Sequence, residues 1–230
     1  YAFLASADEW FSPVAAEVGP DGNLWVADWY NFIIQHNPTP SKARAGYDAK
    51  NGKGNAHINP NRDRGHGRIY RVVWDQAPEA KIKSLAGASD TELVAAMDSD
   101  NLFWRQTAQR LLVDGGKKGA TAGLKAKVKV GGAGAIQALW SLQGLGVLDT
   151  ETHQLALLGK DPALRRNAIT ALGNDAAALQ LFFDTAVVQD SDLIVRLAAF
   201  NKMVEFENKE TVALAAKKLI TDPANADDMW

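Results

Sequence analysis

The sequence predicts an α+β chain that is mostly α: a short β segment, then an α–α solenoid over the back two-thirds. Three observations carry this. The pattern Arg-x-x-Ala-x-x-x-apolar occurs at Arg105/Ala108/Leu112, Arg165/Ala168/Leu172 and Arg196/Ala199/Met203. Ala135/Ala138/Leu142 repeats its apolar positions without the arginine. The copies start at 105, 135, 165 and 196, and a fixed period of about 30 residues means stacked units that cannot bury their apolar faces alone. Before residue 80, by contrast, the apolar pattern alternates, as strands do.

The strands come first. Val14–Val18, the turn Gly19-Pro20-Asp21-Gly22-Asn23 and Leu24–Asp28 read as a hairpin. Pro20 presets its φ, Asp21 bonds nearby backbone, and Gly22 takes the left-handed conformation that returns the strand. Leu24, Val26 and Asp28 alternate with Trp25, Ala27 and Trp29, so both faces are expected to be at least partly covered. A third strand is expected over Arg68–Trp74, entered through Gly65-His66-Gly67. Between them, Asn37 to Arg64 is rich in Pro, Gly, Asn, Ser and Lys and reads as one long loop, the kind that is usually functional or disordered. Three strands make a poor free-standing sheet but a sensible blade of something larger.

Helices follow, expected at Asp90–Met97, Leu102–Val113, Ala120–Val130, Ala133–Leu145, Thr150–Leu158, Pro162–Leu172, Ala176–Val188, Asp192–Glu205 and Lys209–Ile220. Asp100, Asp161 and either Asp190 or Asp192 stand at N-cap positions, and Pro162 suits a first turn. Alanine at the motif's fourth position lets helices approach, and the following Leu or Met fills the groove between them. The arginine is placed to bond carbonyls that close a neighbouring helix or turn. Leu124–Val130 alternates with period two but is held helical by the repeat register. Met229 and Trp230 are placed over the last repeat.

Composition bounds the function. The 230 residues carry a net charge of −2, no cysteine, and an apolar fraction of 47%. Basic and acidic residues are balanced in both parts, so no field steers nucleic acid, and no apolar run spans a bilayer. Without cysteine there is no disulfide, thiolate zinc site, c-type haem attachment or cysteine nucleophile. His36, His57, His66 and His153 have no short ligand spacing, so no metal site is assigned, and no residue is given a catalytic role. The first residue is Tyr1, and the chain is expected to be a piece of a longer protein.

The run Gly19-Pro20-Asp21-Gly22-Asn23-Leu24-Trp25-Val26-Ala27-Asp28-Trp29-Tyr30-Asn31, with His66-Gly67-Arg68-Ile69-Tyr70-Arg71-Val72, resembles the closing strands of a β-propeller. It is similar to the glucose/sorbosone dehydrogenase family, and most to large bacterial membrane-bound dehydrogenase-like proteins whose propeller precedes HEAT-like repeats. The resemblance implies residues 1–80 as the last propeller blade with its long loop, and 81–230 as a HEAT-like domain. It implies a C-terminal part of a quinoprotein-like sugar or polyol dehydrogenase, exported or periplasmic, the helical part being a scaffold or partner surface. Pyrroloquinoline quinone and calcium would belong to the full-length protein, none to this chain, because the family's catalytic base lies on an earlier blade. The rest of the propeller and a cytochrome c domain or protein would be partners.

Two polar clusters are candidates to face a cofactor or ligand. Arg62, Asp63, Arg64, His66 and Arg68 form the densest group, where arginine could clamp a carboxylate. Asp28, Trp29, Tyr30 and His36 sit at a strand end that would face a propeller channel. The blander readings, paired loop charges and packing aromatics, stand beside both. So does a non-enzymatic module that binds carbohydrate or protein. Lys117, Lys118, Lys125, Lys127 and Lys129 make a basic patch for an acidic partner or a solvated helix face.

Overall fold

The computed structural model describes residues 3–8, 10–30, 65–78 and 82–221. The expected loop at 37–64, His36, His57, Arg62, Asp63, Met229 and Trp230 lie outside the described residues. The fold is α+β and mostly α, and the chain divides into two compact units, Tyr1–Ile82 and Lys83–Trp230.

In the first unit, β1 (Pro13–Val18), β2 (Leu24–Asp28) and β3 (Arg68–Val72) form an antiparallel sheet in that order. Gly22 sits at φ 76°, and the Gly19 amide donates to the Asn23 carbonyl at 2.9 Å, which closes the hairpin. Asp21 accepts from the Asn23 amide at 3.2 Å and from Trp25 Nε1 at 3.0 Å, and pairs with Arg71 of β3. The turn is thereby tied to all that it connects. Those bonds, Trp25 foremost and then Asn23, hold the Asp21 carboxyl well below its ordinary range. A bulge between Pro13 and Ala15 bends β1 beside Asp28.

The two sheet faces, each expected to be at least partly covered, are covered unequally. Val26 and Asp28 are buried, whereas on the opposite face Trp25 is exposed and Ile69 is 72% exposed. β3 is also shorter than expected, ending at Val72, with Val73 and Trp74 exposed beyond it.

The second unit holds α1 (Asp90–Ala96), α2 (Leu102–Asp114), α3 (Thr121–Val130), α4 (Ala133–Gly144), α5 (Thr150–Leu157), α6 (Pro162–Ala171), α7 (Ala176–Asp184), α8 (Leu193–Met203) and α9 (Lys209–Ile220). Consecutive helices α1/α2, α3/α4 and α5/α6 pack as hairpins. In one row α2 packs on α4, α4 on α6 and α6 on α8, and in the other α1 packs on α3 and α3 on α5. The motif alanines Ala108, Ala138, Ala168 and Ala199 are fully buried, and Leu112, Leu142, Leu172 and Met203 are buried with them. Small side chains at the crossings let the even-numbered helices approach, and the following apolar residue fills the groove. Close approach is sharpest at Gly134, where a Cβ would stand 2.5 Å from the Met97 carbonyl oxygen.

Helix ends follow local chemistry. Ser89 and Glu92 form a capping box, Asp149 and Asp175 cap α5 and α7, and Asp161 with Pro162 opens α6. Three expectations are resolved or corrected here. Asn101, not Asp100, caps α2: its backbone is extended and its Oδ1 accepts from the Phe103 amide at 2.9 Å. Asp192 caps α8 through the Ile194 and Val195 amides, leaving Asp190 for another task. The helix expected over Ala176–Val188 stops at Asp184, because Thr185 Oγ1 back-bonds to the Leu181 carbonyl at 2.8 Å and Ala186 turns left-handed. A 3-10 turn, Val187–Gln189, then packs on α8. Leu124–Val130 is helical despite its alternation, with Leu124 and Val128 inward and Val130 85% exposed.

Candidate functional site

Tyr30 is the centre of the polar and aromatic cluster in the first unit. Its backbone is left-handed at φ 51°, a conformation unusual for a bulky residue and held here from several sides. Asp28 Oδ1 accepts from the Tyr30 amide at 2.8 Å and from the Ser12 amide at 2.7 Å, while the Trp29 amide donates to the Ser12 carbonyl at 3.0 Å. One carboxylate oxygen thus joins the end of β2 to the segment entering β1. Trp10 lies tilted against the Tyr30 ring at 5.7 Å between centroids, and His66 meets its edge at 6.4 Å. The Arg68 guanidinium stacks 3.6 Å above the same ring and donates to Asp8 Oδ2 and Tyr70 Oη, each at 3.1 Å. The Tyr70 hydrogen bond first, and then Asp8, push the Arg68 guanidinium further above its ordinary value.

The structure therefore joins Asp28, Tyr30, His66 and Arg68, members of both predicted clusters, around one ring. Trp29 is half exposed beside them. Asp28 is a backbone tie rather than an outward ligand, and Arg68 is already paired and stacked. Asp28 Oδ2 and Ser12 Oγ are buried without a hydrogen bond.

That donor set does not amount to the quinone and calcium site of the resemblance. Calcium takes six to eight oxygens, and the buried acceptors left without a hydrogen bond in this cluster are Asp28 Oδ2 and Ser12 Oγ. Among the described residues no group of three or more His, Asp or Glu side chains converges. Of the arginines read as an anion clamp, Arg68 is committed to Asp8 and Tyr70, and Arg62 and Arg64 lie outside the described residues.

Residues 1–76 match a domain family of unknown function, DUF7133. No curated protein matches the chain. The matched region contains all three strands and the Tyr30 cluster; the helical unit lies beyond it. Among the described residues no helix is long and apolar enough to cross a membrane.

In the helical unit two of the three repeated arginines reach the turns that precede their own helices. Arg105 Nη1 donates to the Ser99 carbonyl at 2.6 Å and to that of Asp100 at 3.1 Å. Arg165 Nη1 does the same to Gly159 and Lys160, at 2.8 and 3.1 Å. Arg165 also grips Asp190 with two bonds, Nε to Oδ2 at 2.6 Å and Nη2 to Oδ1 at 2.7 Å. Asp190 stands before α8, so this fork ties one repeat to the next.

The lysine patch is largely consumed in the same manner. Lys117 pairs with Asp90 at 3.1 Å, Lys127 with Asp98 at 2.6 Å, and Lys125 with the α5 cap Asp149. Three of the five lysines therefore tie neighbouring turns rather than facing a partner.

Sequence reasoning missed two buried polar side chains, His153 and Lys202, the second held by Asn174 and Glu205 at the surface. His153 Nε2 lies 2.7 Å from the Ala168 carbonyl near the end of α6, so the neutral ring caps a carbonyl with no intrahelical partner. Lys202 is 4% exposed and donates to Asn174 Oδ1 and Glu205 Oε2, both at 2.8 Å. A lysine two residues beyond Phe200 in an apolar helix was the available signal. Burial first, and then the Lys202 charge, hold the His153 pKa below its ordinary 6.5, although the Ala168 carbonyl pulls the other way. With the folded value depressed, the unfolded chain takes up the proton first. The stability tied to His153 is complete above pH 6.5 and is lost as the pH falls through the lowered folded value. Urea midpoints measured between about pH 8 and about pH 5 will fall more steeply for the parent than for His153→Gln. Identical slopes for the two proteins would refute this.

Proposed function

We propose that this chain is the C-terminal part of a glucose/sorbosone dehydrogenase-like protein. In this reading the sheet is the last blade of an exported propeller, and the helical unit is a HEAT-like scaffold that offers its even-numbered helices to a partner. The chain carries no catalytic group; quinone, calcium and catalytic base belong to earlier blades, and a cytochrome c domain or protein is the partner the resemblance implies. The observation that supports the scaffold is the row α2–α4–α6–α8, bolted at Arg165–Asp190 and filled with alanine at its crossings, which makes one continuous surface from four helices. Support for the blade is a small sheet that buries only Val26 and Asp28 of β2, leaves β1 exposed along its whole length and bears Ile69 outward. Such a sheet gains its stability from neighbours.

The test uses the full-length protein, supplied with the quinone and calcium and a panel of sugars and polyols. Reduction of an artificial electron-accepting dye is expected. Deleting 83–230 leaves that reduction unchanged while removing capture of the cytochrome. No reduction with any sugar overturns the dehydrogenase half, and bound glycan without turnover would replace it with a carbohydrate-binding module. Capture that survives the deletion overturns the scaffold half.

A further inference from the structure

The two helix rows differ sharply in charge. Helices α2, α4, α6 and α8 carry six basic side chains and one acidic, Asp114. Helices α1, α3, α5 and α7 carry three lysines against four carboxylates. Of the six cations, Arg105, Arg165 and Lys202 are spent on turns, Asp190, Asn174 and Glu205. Arg110 and Arg166 make no ion pair among the described residues.

Those two arginines line two grooves on the same face. The groove between α2 and α4, about 460 Å³, holds Arg110 with Gln106, Gln109 and Trp140. The groove between α6 and α8, about 420 Å³, holds Arg166 with Leu197 and Asn201. A strap divides them: Trp140 Nε1 donates to Asn167 Oδ1, and Asn167 Nδ2 to the Ala163 carbonyl, both at 2.8 Å. Asp114 ends the first groove without pairing Arg110.

We propose that this face binds an extended acidic segment of a partner protein, its two carboxylates taken by Arg110 and Arg166 and its backbone lying over the half-buried Trp140. This rests on the scaffold reading above and names the partner's chemistry. Guanidinium matches carboxylate with two parallel bonds, and side-chain amides such as Gln106 and Asn201 both donate to and accept from main chain. The spacing follows from packing. Two helix-to-helix steps of about 9 Å, offset by one turn, separate the arginines by about 19 Å. An extended chain covers that in about six residues, an even number that leaves both carboxylates on one side.

The probe is a fluorescein-labelled peptide with two glutamates at that spacing, titrated against the 230-residue chain by anisotropy. Saturable binding is expected, weakened about tenfold by Arg110→Glu and by Arg166→Glu, each checked by circular dichroism for an intact fold. The glutamine version of the peptide should not bind. Absence of binding, affinity in either variant equal to that of the parent, equal binding of a peptide with adjacent glutamates, or equal competition by single-stranded DNA would each overturn the proposal. If the peptide fails while deletion of 83–230 still abolishes cytochrome capture, only the acidic segment is refuted and the scaffold stands.

Discussion

Replacing Phe182 by alanine lowers the stability of the helical unit by about 4 kcal/mol, the range for a fully buried phenylalanine whose site cannot collapse. Phe182 is 0% exposed, with its ring 5.2 Å from Phe206 and 5.5 Å from Phe183, both near edge-on. Phe206 lies just past α8 and is itself fully buried, so the pair holds α7 to the chain leaving the next repeat. Few other contacts replace it, because α7 ends early and the 3-10 turn takes its place against α8. Urea unfolding followed by far-ultraviolet circular dichroism measures the loss. Leu214→Ala, on an exposed position of α9, serves as the control and should stay within about 0.5 kcal/mol. Equal effects from the two changes would mean that α7 is not seated as described.

Asp190→Ala costs about 3 kcal/mol, since it strands the Arg165 guanidinium in a site where its side chain is 13% and that of Asp190 9% exposed. Burial alone would raise the Asp190 carboxyl. The Arg165 fork, the Asp192 amide and the nearby arginine charges outweigh burial and hold it below its ordinary 3.8. The sign follows: the contribution is present above pH 3.8 and is lost as the pH falls through the depressed folded value. Arg165→Leu combined with Asp190→Leu should cost less than the two single changes together, because no charge is left unpaired. Strict additivity would show that the fork does not couple the repeats.

Much of the helical unit was legible because its determinants are local and recur. A 30-residue period, buried alanines in register, and Ser, Asn or Asp before most of the apolar runs are properties of short windows, and helices form where such windows say. Even Leu124–Val130, whose alternation mimics a strand, obeyed the repeat once Leu124 and Val128 found the core. The hairpin around Gly22 was equally local. What failed locally was a matter of a few residues at element ends. Asp100 and Asn101 are both good caps, and only backbone direction selects between them.

The candidate site was readable as a set of residues but not as a shape. Tyr30 is far in sequence from His66 and Arg68, and nothing in either segment announces that one ring will carry the other two. The lysines read as a patch since their anionic partners, Asp90, Asp98 and Asp149, stand more than twenty residues away.

From sequence alone came the mostly helical α+β class, the strand and helix order, and the period that stacks one helix pair on the next. Those depend on backbone propensities and on which side chains avoid water, and both are read within one or two turns of chain. Tertiary structure alone decided which charges remain unspent. Arg165 and Arg166 are neighbours of one type, yet one grips Asp190 and the other faces a groove. Electrostatic partnership depends on distance in space, which a linear pattern does not contain until the chain has folded.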